Sequence, residues 1–243
     1  GETRGEARLR VKQTFIAINQ TANPLTINQL KSQNQGDAIS VISKEIAFNH
    51  ELFGDVVDFK NSQIDPKSQK FIPLNGLYNS IKAYLENKSP FNQWDAFTMP
   101  KGQVHMLPSK EEIDEAKTLC KKVFDELKEL NSLAPLTRSH AKPLEWREFP
   151  KMSLDASNPR KGHLLYRHPS FTALLGAISY CHFSDDIKMS LDDIFTKLKK
   201  ADAAHKMSNI NKWESIFCNI FFKVESNSIK VSSKDQKLLK SLF

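Results

Sequence analysis

The sequence is short of several things at once. No apolar run in its 243 residues reaches the ~20 that a membrane-spanning helix requires. Mean hydropathy is −0.47, so a helical membrane protein is excluded. Three cysteines, Cys120, Cys181 and Cys218, are far apart and odd in number, which excludes a disulfide scaffold. No CxxC or mixed Cys/His spacing exists among them, so neither a zinc site nor a redox pair is indicated. Each sits in an apolar helical context, where cysteine behaves as a small buried hydrophobe. Eight glycines are scattered, and neither GxGxxG nor GxxxxGK[ST] occurs. HExxH, HxH and GxSxG are absent too. His163 and His168 lie five apart in a proline-bounded loop, which is not a helical ligand spacing, and metal binding there is not expected.

What is present is an ordinary globular composition, 40% hydrophobic and 26% charged. The formal net charge is +7, a moderate excess that favours anionic partners. Its distribution matters more than its total. Between residues 138 and 168 stand seven cations, Arg138, Lys142, Arg147, Lys151, Arg160, Lys161 and Arg167, against three acids, Glu145, Glu148 and Asp155. His140, His163 and His168 add to them, and Trp146 and Tyr166 are interleaved. Such a stretch reads either as a contact for nucleic-acid phosphates, with Arg160, Arg167 or Trp146 stacking or reaching base edges, or as a solvated loop paired with helix carboxylates. Arg167 stands between an apolar triplet and a core segment, which marks it as half-buried and paired.

The pattern is mainly helical. Residues 6–19 read as a helix with Val11, Phe15 and Ile18 on one face. Because the chain opens inside this pattern on a glycine, it reads as a C-terminal piece of a longer protein, with an engineered boundary as the alternative. Thr26 and Gln29 form a short capping box. A second helix is expected from Asp37 to Phe53, with Ile39, Ile42, Ile46 and Phe53 as its stripe. Residues 54–73 read as irregular, and Asn75 as the cap of a helix carrying Leu77, Tyr78, Ile81 and Leu85. Residues 88–108 read as a loop, with a short helix around Trp94. Ser109 and Glu112 announce a long amphipathic helix reaching Asn131. Residues 163–166 suit a short strand or extended lead. Ser170 is expected to cap a central helix that is apolar on nearly every side, through Cys181. Ser190 with Asp193 opens another. Helices near 209–221 and from Ser233, and a small hairpin or loop over 224–231, complete the reading.

The segment Phe15-Ile16-Ala17-Ile18-Asn19-Gln20-Thr21-Ala22-Asn23-Pro24-Leu25 has the form F-x-x-[IL]-N-x-x-A-x-P-[LV]. It resembles the stretch that follows the signature of the DGQHR-domain family, nearest to its DNA sulfur-modification (DndB-like) members. Ile39 to Phe53, Phe71 to Leu77, Leu164 to Pro169 and Trp213 to Asn219 resemble later family elements in the same order. The namesake Asp-Gly-Gln-His-Arg motif is absent, and His168 separates Arg167 from Pro169 where the family has an Arg-Pro turn.

The resemblance implies a fold that is mainly α, an irregular multi-helix domain with long loops, as the C-terminal half of a protein whose other half is α/β and ParB/sulfiredoxin-like. Residues 1–103 would continue the DGQHR domain and 104–243 would form a C-terminal helical region. The implied function is that of a DNA-binding regulatory or accessory protein of a bacterial DNA phosphorothioate modification system. The alternative is a nucleotide-dependent hydrolase, an ATPase or DNA-nicking enzyme, whose catalytic half lies upstream. A third reading is a protein-interaction module. Double-stranded DNA and other proteins of the same cluster are the implied partners, a homo-oligomer stays open, and the compartment is the cytoplasm. No catalytic residue and no cofactor are assigned to this segment, and ATP belongs to the full-length protein. Phe15, Asn19 and Pro24 carry the family motif; the Asn19 turn either closes over the missing active site or simply ends the first helix.

Overall fold

The computed structural model describes residue 3, residues 5–11, 13–14, 37–65, 67–94, 108–137, 141–147 and 163–204, and two short strand segments at 222–223 and 228–229. Residues 5–11 are helical, and Thr3 holds their start. The Thr3 hydroxyl donates to the Glu6 carboxylate at 2.8 Å and the Glu6 amide donates back to that hydroxyl at 3.3 Å. Phe15 to Leu25, the capping box at Thr26, and the helices expected at 209–221 and after Ser233 lie outside the described residues.

Helix α1, Ala38–Asn49, starts where Asp37 caps it, accepting from the Ile39 amide at 3.0 Å and from the Ser40 hydroxyl at 2.8 Å. It ends four residues before Phe53, because His50 takes an extended backbone. Phe53 is fully buried all the same, carried inward by the turn that follows rather than by a helix face. The region between 54 and 73 is irregular as its sequence implies, apart from a 3-10 turn at Gly54–Val56 and a two-residue parallel pairing of β1, Val57–Asp58, with β2, Ile72–Pro73.

Helix α2, Leu74–Leu85, begins one residue before Asn75, so Asn75 is not its cap. Pro73 stands at the boundary with an extended backbone, and no side chain caps the first turn. Helix α3, Lys110–Lys128, carries the capping box read from sequence. Ser109 accepts from the Glu112 amide at 3.1 Å while Glu112 accepts from the Ser109 amide at 2.8 Å. Its inner stripe, Ala116, Cys120, Val123, Phe124 and Leu127, is wholly buried.

The proline-rich stretch holds a 3-10 turn at Ala134–Thr137 and the short helix α4, Pro143–Arg147. Residues 164–166 form a 3-10 turn, not a strand. Helix α5, His168–Phe183, opens two residues before Ser170, so Ser170 is not its cap either. Arg167 occupies the cap position, and Pro169 in the first turn gives up an amide that the helix does not use. Helix α6, Leu191–Ala203, is capped by Ser190, which accepts from the Asp193 amide at 3.1 Å. Strands β3, Phe222–Lys223, and β4, Ser228–Ile229, pair antiparallel; of the two readings open for 224–231 this is the hairpin, with its first strand lying just ahead of that range.

The described architecture is mainly α. One hydrophobic cluster runs from Ile39 to Phe195 and draws on residues either side of position 103. Its centre is the α2–α5 contact, the most extensive between any two helices described. The Ser80 hydroxyl meets that of Thr172 at 2.9 Å, and Asn87 donates to Ser179 at 3.0 Å. Both pairs are separated by 92 residues, so the seven steps from Ser80 to Asn87, two residues past the end of α2, match seven along α5. The helices therefore run parallel and in register, with two turns between polar contacts. Gly76 lets β2 fold back tightly onto α2: a methyl group there would stand 2.9 Å from Ile72 Cγ1 and 3.1 Å from Pro73 Cδ. Around Phe171 gather Phe53, Phe71 and Phe124, with ring centroids 5.4 to 6.5 Å away. Outside this core, ion pairs tie α3 to its neighbours: Lys117 to Glu45 at 2.6 Å, Lys128 to Glu51 at 3.2 Å and Lys199 to Glu126 at 2.8 Å.

Candidate functional site

The basic stretch is the candidate that the sequence singles out. Lys142 lies just before α4, with its side chain 63% exposed, and pairs with Glu145 at 3.3 Å. That pair is solvent-bathed and worth little, so the ammonium is available to a phosphate. Arg147 closes the backbone of α4. Arg167 is half-buried at the head of α5 and engaged with its surroundings, as its position between apolar segments implies. Arg138, Lys151, Arg160 and Lys161 lie outside the described residues, as do Phe15, Asn19 and Pro24.

Trp146 does not take the role of a base-stacking group. It is buried and stacks on Tyr166 at 5.1 Å, with an interplanar angle of 26°. The aromatic residues within the basic stretch therefore serve the core. They also draw its two ends together, because the His163 amide donates to the Trp146 carbonyl at 2.9 Å. His168 is half-buried, and burial together with the neighbouring Arg167 charge brings its imidazole down to about 4. It is neutral at pH 7 and adds nothing to the positive field.

Behind this point lies a polar node that the sequence does not announce. Ser132, His163 and Asp202 are all buried. The Asp202 carboxylate accepts from the Ser132 amide at 3.0 Å, and its other oxygen lies 3.8 Å from His163 Nε2. The Tyr166 hydroxyl donates to the Ser132 carbonyl at 2.9 Å. Burial pushes the Asp202 carboxyl up, but the nearby His163 and the hydrogen bond from Ser132 outweigh it and hold the group below the usual range. Serine, histidine and aspartate suggest a hydrolytic triad, yet the geometry argues otherwise. A triad histidine gives one nitrogen to the acid and keeps the other as a base for the serine. Here Nδ1 accepts from the Leu165 amide at 3.1 Å and Nε2 faces Asp202, so no nitrogen is left to activate a hydroxyl. The node braces the 3-10 turn at Leu164–Tyr166 against the end of α6.

The same arrangement recurs at His50. Its Nδ1 accepts from the amide two residues on, Leu52, at 3.2 Å, and its Nε2 faces a carboxylate of another helix, Asp125, at 3.5 Å. No motif reveals such a cap, since its signal is a lone histidine. Cys120 is buried and its thiol is pushed well up by burial; Cys181 is half-buried, and Cys218 lies outside the described residues. Among the described residues no group of three or more His, Cys, Asp or Glu is placed to hold a metal ion. No described helix is long and apolar enough to cross a membrane. No protein-family model, curated protein or solved structure matches the chain.

Proposed function

We propose that this chain is the helical part of a DNA-binding regulatory or accessory protein of a bacterial DNA phosphorothioate modification system. The observation that carries the reading is the excess of four positive charges between residues 138 and 168, borne by Arg138, Lys142, Arg147, Lys151, Arg160, Lys161 and Arg167. Its chemical logic is counterion release: each ammonium or guanidinium set against a phosphate frees a condensed cation. The resemblance of the Phe15–Leu25 segment to DGQHR-domain proteins supplies the rest of the assignment, including double-stranded DNA and proteins of the same cluster as partners.

Fluorescence anisotropy on a short DNA duplex, over a series of salt concentrations, is the test. Binding should weaken as salt rises, and log Kd should vary linearly with log salt. Replacing Arg160, Lys161 and Arg167 with alanine should lower affinity on all sequences alike. It should also reduce the salt slope by about 2 to 3, the amount for three lost phosphate contacts. No binding at low salt would overturn the reading. Hydrolysis of a nucleotide by the natural full-length protein without DNA binding would favour the enzyme reading instead.

A further inference from the structure

His50 engages the fold through its backbone and through Nδ1, while Nε2 is buried with no hydrogen-bond partner. Its amide donates to the Ile46 carbonyl at 3.0 Å, the last hydrogen bond of α1. Its carbonyl accepts from the Phe53 amide at 2.9 Å and from the Gly54 amide at 3.1 Å. Its Nδ1 accepts from the Leu52 amide at 3.2 Å, and its Nε2 faces Asp125 of α3 at 3.5 Å. The ring rests against Phe53 and Phe124, at 5.9 and 5.8 Å. The turn so fixed seats Leu52 and Phe53, both fully buried, and Phe53 meets Phe124 edge-on at 4.9 Å.

An amide can donate to Nδ1 only while that nitrogen keeps its lone pair. The ring must then be neutral with its one proton on Nε2. A second proton has one place to go, Nδ1, where it would face the Leu52 N–H, donor against donor. The charged groups around the ring come from both elements packed on it. Asp125 and Glu51 attract an imidazolium; Lys128 and Lys121 repel it. Asp125 is 57% exposed and already paired with Lys128 at 3.2 Å, so its pull is weak. Desolvation therefore decides, and it favours the neutral ring below the usual histidine range.

We propose that His50 is a proton-operated latch on the turn that follows α1 and packs against α3: the neutral ring locks the Leu52 amide, and the protonated ring releases it and loosens the seat of Phe53. The latch belongs to the fold and does not depend on what the chain binds.

Amide hydrogen exchange of the 243-residue chain, followed by NMR from pH 7 downwards, tests it. Protection of the Leu52 amide, corrected for intrinsic exchange, should fall at least tenfold relative to Leu127 in the middle of the core before the chain as a whole unfolds. In His50→Asn the side-chain oxygen preserves an acceptor near Nδ1 and does not titrate, so this relative loss should disappear. An equal loss in His50→Asn would overturn the proposal. So would Leu52 protection that persists in the wild type down to the pH of global unfolding. Should the variant not fold, imidazole nitrogen shifts of the wild type decide. Nδ1 should be the unprotonated nitrogen at pH 7, and its protonation should share a midpoint with the loss of Leu52 protection; different midpoints refute the latch.

Discussion

At the scale of single residues, the hydroxyl of Tyr84 is one of several buried polar groups described that have no hydrogen-bond partner. The side chain is fully buried between α2 and its neighbours, its ring lies 5.5 Å from that of Phe183, and its oxygen has no hydrogen-bond partner. Burial drives the phenol well above its usual range, so it is never an anion here. A buried hydroxyl without a partner loses its hydration and gains nothing in exchange. Tyr84→Phe should therefore raise stability by about 1 kcal/mol, read as a higher urea midpoint with an unchanged slope. A loss of that size would show that the hydroxyl is bonded in solution. Cys120 is the opposite case: a thiol in apolar surroundings is in its preferred setting, and it matches what its helical spacing implies.

At the scale of elements, the α2–α5 pair holds its register through hydroxyls. Ser80 donates its single proton to the Gly76 carbonyl at 2.9 Å, so the proton shared with Thr172 must be that of Thr172. The two residues then have unequal roles. Thr172→Val keeps the shape and leaves Ser80 bonded to Gly76, and should cost under about 1 kcal/mol. Ser80→Ala strands a buried hydroxyl on α5 and should cost about 1–3 kcal/mol. Denaturant unfolding of both variants and of the double variant measures this, and additive losses would mean that the pair is not coupled. Local signals of this kind differ in how well a sequence displays them. The caps at Ser109 and Ser190 were legible because each involves a partner three residues on, in a full capping box at Ser109 and a single capping bond at Ser190. The starts of α2 and α5 were misplaced by two and three residues because prolines, with their fixed φ, set the boundary ahead of the polar residue that looked like a cap. Phe53 lay in phase with the α1 stripe, yet a turn buries it. The Ser132–His163–Asp202 node was invisible, since its members are brought together over as many as 70 residues by the packing of α6. Trp146 and Tyr166 were visible as aromatics in a basic stretch, but composition alone does not say which way a ring faces.

At the scale of the whole molecule, the ionisable groups set how stability follows pH. His168 titrates near 4 in the folded chain, and unfolding restores a histidine of about 6.5. Between those values the unfolded chain binds more protons, so stability must fall as pH drops from about 6.5 to about 4. His50, held below its usual range by burial, acts in the same sense. Asp58 and Asp202 both lie below the usual carboxylate range despite burial, which raises them; hydrogen bonds from Asn61 and Lys60 prevail at the first, and the nearby His163 with the Ser132 hydrogen bond at the second. Their contribution is present above the unfolded value near 3.8 and is lost as pH falls through the folded one. Lys117, raised chiefly by its bond to Glu45, contributes below about 10.5 and loses that only in strong alkali. The urea midpoint should thus be level from about pH 7 to 8, decline from about 6.5 towards 4, and keep falling below that as the two aspartates are protonated. His168→Asn removes the leading histidine. Because solvent still reaches that half-buried ring, the change in stability between pH 7 and pH 4 should shrink by only about 1–2 kcal/mol. Unfolding curves at half-unit steps of pH would show it, and an identical decline in the variant would mean that His168 keeps its ordinary affinity for protons in the folded chain.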